Sequence, residues 1–250
     1  MIQFFAENYT GTPFVFFGSS HLIALGIVVL LAFSPFLIRN SASIKLRKII
    51  RYGLASILIF NQISRHIWIN YYGQWSIQWN LPLHMCSLFV WLSAYMLITK
   101  SYLIFELAYF LGIAGALQAL LTPDAGTYGF EHYYLIQFFI AHGSIIIASS
   151  YMAIVEGFRP TWRSIKKVFI SVNIYLVFIT VVNLAINSNY LYSLHKPHAP
   201  TLLDYLGPWP WYILSAEGVA AIMFLILYLP YLIKDLRNAR TATTSIERRE

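Results

Sequence analysis

The chain predicts an all-α, polytopic membrane protein: a bundle of seven transmembrane helices, N-terminus outside and C-terminus in the cytoplasm. Three observations predict it. Only 11% of its 250 residues are charged and its mean hydropathy is +0.62, far too apolar to cover a soluble domain of this size. Seven apolar stretches approach the ~20 residues needed to cross a bilayer. Cationic residues gather in alternate connections between them.

The spans fall near 19–38, 48–71, 82–99, 103–122, 131–155, 165–188 and 210–234 in a single membrane domain over 1–238. Residues 239–250 are polar and read as a flexible cytoplasmic tail. Orientation follows from Lys and Arg. Arg39, Lys45, Arg47, Lys48 and Arg51 surround the first connection, and Lys100 lies in the third. Arg159, Arg163, Lys166 and Lys167 surround the fifth, and Lys234, Arg237, Arg240, Arg248 and Arg249 the C-terminus. Lys196 falls on the opposite side and Arg65 lies within a span. Trp68, Tyr71, Tyr72, Trp75 and Trp79, with Trp209, Trp211 and Tyr212, mark the outer boundary. The net charge of +7 is explained by these loops and by anionic lipid, not by nucleic acid. Membrane lipids are the expected surroundings and partners. The first stretch lacks a preceding basic region and a cleavage site, so it reads as a retained helix.

Function is sought in polar residues inside the spans. In the second, Asn61, Gln62, Arg65, His66 and Asn70 form one stripe that is expected to face the bundle interior. Arg65 needs a partner there, with Asp124, Glu131 and Glu217 as candidate counterions; the plainer reading is interhelical glue with Arg65 reaching outward. The third span opens Asn80-Leu81-Pro82-Leu83-His84-Met85-Cys86. Pro82 suits a first helical turn, which places Cys86 about one turn inside. His84 and Cys86 then point about 160° apart. A lone cysteine in an apolar helix is ordinarily a small core residue. The fourth span ends with Gln118, Thr122 and Asp124, either a helix stop or cavity-facing groups. Its Glu106 is expected to be neutral unless paired. His142, inside the fifth span, serves either as a general base or as a satisfied structural histidine. Asn173, Asn183, Asn187 and Glu217 read as packing or cavity lining. A zinc set of His84, Cys86, His132 and His142 is weak because no helical ligand spacing supports it. No metal and no cofactor is expected.

Three segments carry a resemblance: Leu81-Pro82-Leu83-His84-Met85-Cys86, Ala119-Leu120-Leu121-Thr122-Pro123-Asp124 and Phe138-Phe139-Ile140-Ala141-His142-Gly143. In this order the chain resembles the YwaF-like family of bacterial integral membrane proteins. That family looks related to a eukaryotic transmembrane acyltransferase that remodels phospholipids with a proposed catalytic cysteine and histidine. The resemblance implies a bacterial plasma membrane, Cys86 as nucleophile and His142 as base. The polar residues read from the spans themselves add Asn61, Gln62, Arg65, His66, Asn80, His84, Gln118, Thr122 and Asp124 as cavity or substrate-binding candidates. A thiolate in lipid needs a base or cation beside it, which Arg65 or His66 supplies. The rivals are a lipid ester hydrolase and a non-enzymatic transporter or receptor with a polar intramembrane cavity. Depth weighs against direct contact, because His142 lies 11 residues beyond Glu131, about 16 Å along a helix, whereas Cys86 lies near its helix start.

Overall fold

The computed structural model describes residues 3–197 and 201–247, and their regular structure is entirely helical. Helices α1 (Ser19–Phe33) and α2 (Pro35–Ile38) form the first rod, α3 (Ile44–Tyr71) the second and α4 (Met85–Thr99) the third. The fourth combines α5 (Tyr102–Leu107), a π-helical turn (Ala108–Gly112) and α6 (Ile113–Leu121). Helices α7 (Tyr133–Ile154), α8 (Trp162–Ile186) and α9 (Trp211–Glu247) follow. Hydroxyls start several of them. Ser43 accepts from Leu46 N–H, Ser101 from Ile104 N–H, and Thr161 and Ser164 cap each other reciprocally, satisfying donors that a helix start leaves free.

Five of these rods are long and apolar enough to cross a membrane: Ser19–Ile38, Tyr102–Leu121, Tyr133–Ile154, Trp162–Ile186 and Trp211–Asn238. The expectation of seven is therefore met for five. Helix α3 is long but carries Lys45, Arg47, Lys48, Arg51 and Arg65. Helix α4 has 15 residues, about 22 Å, against a ~30 Å hydrocarbon core. The last helix continues past 238 to Glu247, and Arg248 and Arg249 lie outside the described residues.

Helix α7 is the axis of the bundle. It packs against α1, α3, α4 and α6, and 72% of its most apolar window is buried, against 11% for α8. Glycines let neighbours come close. A Cβ on Gly143 would meet Val28 of α1 at 3.1 Å. One on Gly112, in the π turn, would meet Ile145 of α7 at 3.1 Å and Phe89 of α4 at 3.3 Å. Small residues at such crossings are the usual device for helix association in lipid.

The two ends of the bundle differ. At one end the basic residues are fixed: Lys100 pairs with Glu156, Arg159 with Asp235, and Lys167 with Glu106, while Arg47 donates to Val155 O. Glu106 also accepts from Ser164 Oγ at 2.6 Å. Glu106 is thus paired, its buried carboxyl meeting the half-exposed Lys167, because α8 brings Lys167 and Ser164 to it. At the opposite end the N-terminal segment lies across the bundle. Trp68 and Tyr72 donate to Phe5 O, His132 to Ala6 O, and Tyr133 N–H to Phe4 O.

Candidate active site

Arg65 sits at this second end, in the wall of a cavity of about 290 Å³. Helix α3 supplies Arg65 and Trp68, the following loop Asn80, the loop before α7 Asp124 and Tyr128, and α7 Tyr134. Arg65 is half-buried and forms no ion pair or hydrogen bond with another described residue. Its charge is felt at His66, His84, His142, Tyr133 and Tyr134. None of the three proposed counterions pairs with it. Asp124 shares the cavity, Glu217 lines another, and Glu131 acts on Tyr9 instead. A guanidinium without an ion-pair partner, in a cup whose walls mix aromatic and polar groups and include Asp124, can meet an anionic oxygen ligand.

The predicted stripe on α3 is shared between tasks. Asn61 donates to Gln137 O at 3.2 Å and ties α3 to α7. Gln62 and His66 lie 3.2 Å apart, and His66 Nδ1 accepts from Trp75. Asn70 is exposed. Gln118 donates to Met223 Sδ and Thr122 to Gln118 O; both are packing contacts and neither lines the cup. Asn80 accepts from Ser76 N–H at 2.9 Å, which leaves its amide N–H₂ for the cavity.

The start of α4 departs from expectation. Pro82 lies before the helix, His84 is its extended N-cap and Cys86 occupies its first turn. No side chain caps this end, and the first intrahelical bond runs from Leu88 N–H to His84 O. The N–H groups of the first turn are therefore free to meet developing negative charge near the sulfur. With His84 outside the helix, the 160° separation from Cys86 no longer applies.

Gly112 bears on the depth of Cys86 relative to His142. Phe89 and Ile145 meet at that residue. Cys86 precedes Phe89 by three residues and His142 precedes Ile145 by three, so each lies about 4.5 Å outward from the same point. The two helices run in the same direction, since Lys100 just beyond α4 pairs with Glu156 just beyond α7. No hydrogen bond joins sulfur to imidazole among the described residues. His142 Nδ1 lies 2.8 Å from Phe138 O. A carbonyl only accepts, so Nδ1 carries a proton, and Nε2 has no hydrogen-bond partner among the described residues. His132 differs: one nitrogen contacts Ala6 O and the other accepts from Tyr134 N–H. That removes it from the zinc set. His21 is likewise committed, to Phe17 N–H and Leu120 O.

A part missed from the sequence is the loop after α8. Asn183, fully buried, uses all four hydrogen-bonding positions: to Tyr190 O and Ser193 Oγ as donor, and from Ser188 Oγ and Tyr190 N–H as acceptor. The buried Tyr190 hydroxyl accepts from Leu81 N–H and donates to Ile77 O, pinning the segment before α4. Leu191 and Tyr192 are both left-handed, with φ of 57° and 53°, a strain that non-glycine residues keep only where neighbours hold it. The result sets the Tyr190 and Tyr192 rings 4.9 and 5.4 Å from His84. Burial first, then Asp124 and Cys86, hold the Tyr192 hydroxyl above the usual phenol range. The polar run Asn187-Ser188-Asn189 at the end of an apolar helix was the available signal.

A model of the TMEM164 family matches residues 16–228. The chain belongs to the TMEM164 family. The TMEM164 match covers the cup, Cys86, His142 and the Asn183 loop together. Neither the comparison with curated proteins nor that with solved structures gave a match.

Proposed function

We propose that this TMEM164-family protein is a membrane-embedded lipid acyl-transfer enzyme with Cys86 as nucleophile. The observation that supports the reading is the meeting of Phe89 and Ile145 at Gly112, three residues beyond Cys86 and His142 respectively, together with a cup that holds an unpaired Arg65, although neither Cys86 nor His142 lines that cup. Resemblance to the cysteine/histidine acyltransferase supports the roles. The seven-span count, an outward N-terminus, the YwaF-like affinity and a bacterial plasma membrane belong to the same reading.

In the first half-reaction His142 Nε2 takes the thiol proton. The Cys86 thiolate attacks the ester carbonyl of a phospholipid, and the tetrahedral oxyanion is met by first-turn N–H groups of α4. Collapse breaks the ester C–O bond, and the leaving lysolipid oxygen takes the proton from His142. In the second half, a lysolipid hydroxyl gives its proton to His142 and attacks the thioester. The C–S bond breaks and the sulfur is reprotonated. Arg65 holds the phosphate of the lipid headgroup. The mechanism requires sulfur and imidazole to come into contact when lipid enters.

A second assignment of the base has its own support. His84 stands two residues from Cys86 on an irregular N-cap, so it is the alternative proton acceptor. Lipidomics on cells expressing wild type, Cys86→Ala, His142→Ala and His84→Ala at matched levels decides. Loss of the acyl-exchanged species in the Cys86 and His142 variants, with His84→Ala active, is the expected outcome. Loss with His84→Ala alone among the histidines reassigns the base. Free fatty acid without transacylated lipid makes the protein a hydrolase. Four coinciding profiles remove enzymatic function in favour of transport or reception.

A further inference from the structure

A second cavity, about 200 Å³, opens between α8, α9 and the start of α4. We propose that it is the acyl-chain subsite, and that Phe110, Phe169 and Phe224 form the stop that measures chain length. This rests on the acyl-transfer reading and adds a specificity element to it.

Position argues for one occupant, a single fatty acyl chain of a membrane lipid. Helices α8 and α9 are lipid-facing rods that pack mainly against α5, α6 and the π turn. Their outward faces, for example Val177, Phe178 and Ile222, are exposed apolar surface. A groove between them at membrane depth is bathed in hydrocarbon, not water. Its wall is apolar apart from Glu217 and the hydroxyl of Tyr212, which donates to Tyr192 O; Glu217 lies about 1.7 turns below the start of α9 by the ~3.6-residue repeat, toward the polar layer.

Continuity argues for a link with chemistry. Met85, the neighbour of Cys86, lines the groove, as does Leu191, the neighbour of Tyr192. Asn80, in the segment that leads into α4, lines the headgroup cup. A lipid with its phosphate at Arg65 therefore directs a chain past Cys86 into the groove.

Dimensions argue for the stop. Along α9 the lining runs from Tyr212 to Phe224, 12 residues or about 18 Å, comparable to the ~15 Å of one leaflet. At its inner end Phe224 is fully buried. Its ring stands 5.3 Å from Phe110 and 5.1 Å from Phe169, closing the channel. Ala216 and Ala220 leave the middle open.

The test uses the full chain in nanodiscs containing phosphatidylcholine with a photoactivatable diazirine near the methyl end of one acyl chain. After irradiation, adducts are expected to concentrate on Phe169, Ala220 and Phe224 over the exposed α8 face. Ala220→Trp, at a partly exposed position, should abolish them. Phe224→Ala should carry them deeper. In acyl transfer, Ala220→Trp should turn preference against the longest chains by about tenfold or more. Even labelling of the lipid-facing surface, labelling unchanged in Ala220→Trp, or a groove occupied by a second copy would overturn the proposal. Photolabelling needs no turnover. Groove labelling without acyl transfer retires the enzyme reading alone, whereas acyl transfer with an unlabelled groove retires the subsite alone.

Discussion

Replacing Asn183 with Leu tests whether the strained loop positions the site. The four bonds of Asn183 include two to the main chain of Tyr190, both 2.8 Å. An apolar side chain of similar size leaves that buried N–H and C=O without partners, at about 1–3 kcal/mol each. The hydroxyls of Ser188 and Ser193 can rotate to other acceptors and count for less. Against this stands the left-handed strain of Leu191 and Tyr192, about 1–2 kcal/mol per residue. The staple and the strain are of similar size, so losing the former lets the loop open locally while the bundle stays folded. A local loss of ~2–6 kcal/mol raises opening by about 30-fold to 10⁴-fold, at ~1.4 kcal/mol per tenfold. Hydrogen exchange of residues 187–195 in nanodiscs measures it. Asn183→Asp, which keeps the accepted bonds and loses the donated ones, should fall between wild type and Leu. Protection at Tyr190 and Ser193 that is unchanged in Asn183→Leu would refute the reasoning.

Other substitutions follow from the same geometry. His142→Ala should lower acyl transfer by about 10²–10⁴-fold with thermal unfolding little changed; steady-state rates in nanodiscs check this. Lys167→Met should destabilise more than Glu106→Gln, because it strands a carboxylate that is 3% exposed, at up to ~3–5 kcal/mol less what water reaching the half-exposed lysine already screens. Thermal unfolding in detergent compares the two. Gly112→Val should crowd Phe89 and Ile145, cost about 1–3 kcal/mol and reduce acyl transfer by separating α4 from α7. Arg65→Gln should raise KM for phospholipid more than it lowers kcat, since the guanidinium is assigned to holding phosphate.

Hydropathy and the placement of Lys and Arg made the helical rods legible, because both are local properties of the chain. The membrane-crossing count was less so: α3 is long enough but too charged, and α4 too short, for composition alone to decide. Pro82 misled the start of α4, since proline is tolerated equally in a first turn and just before one. That three-residue difference moved Cys86 into the first turn and freed His84 from the helix. The relative depth of Cys86 and His142 turns on Gly112 lying against Phe89 and Ile145, a contact no spacing encodes. Asn183 looked like packing glue because its four partners lie in a loop whose fold depends on it. Helical-wheel reasoning put Asn61, Gln62, Arg65, His66 and Asn70 on one stripe, but it could not show that Asn61 bonds to α7, that His66 accepts from Trp75, that Arg65 has no hydrogen-bond or ion-pair partner among the described residues, or that Asn70 is exposed.

Trapping the covalent intermediate bears most directly on the account. The purified protein is incubated with phospholipid, quenched in acid and weighed intact. A mass increase of one fatty acyl group, removed by neutral hydroxylamine and mapped to Cys86, is the expected result; Cys86→Ala should show neither the adduct nor transfer. Undiminished transfer by Cys86→Ala would contradict it.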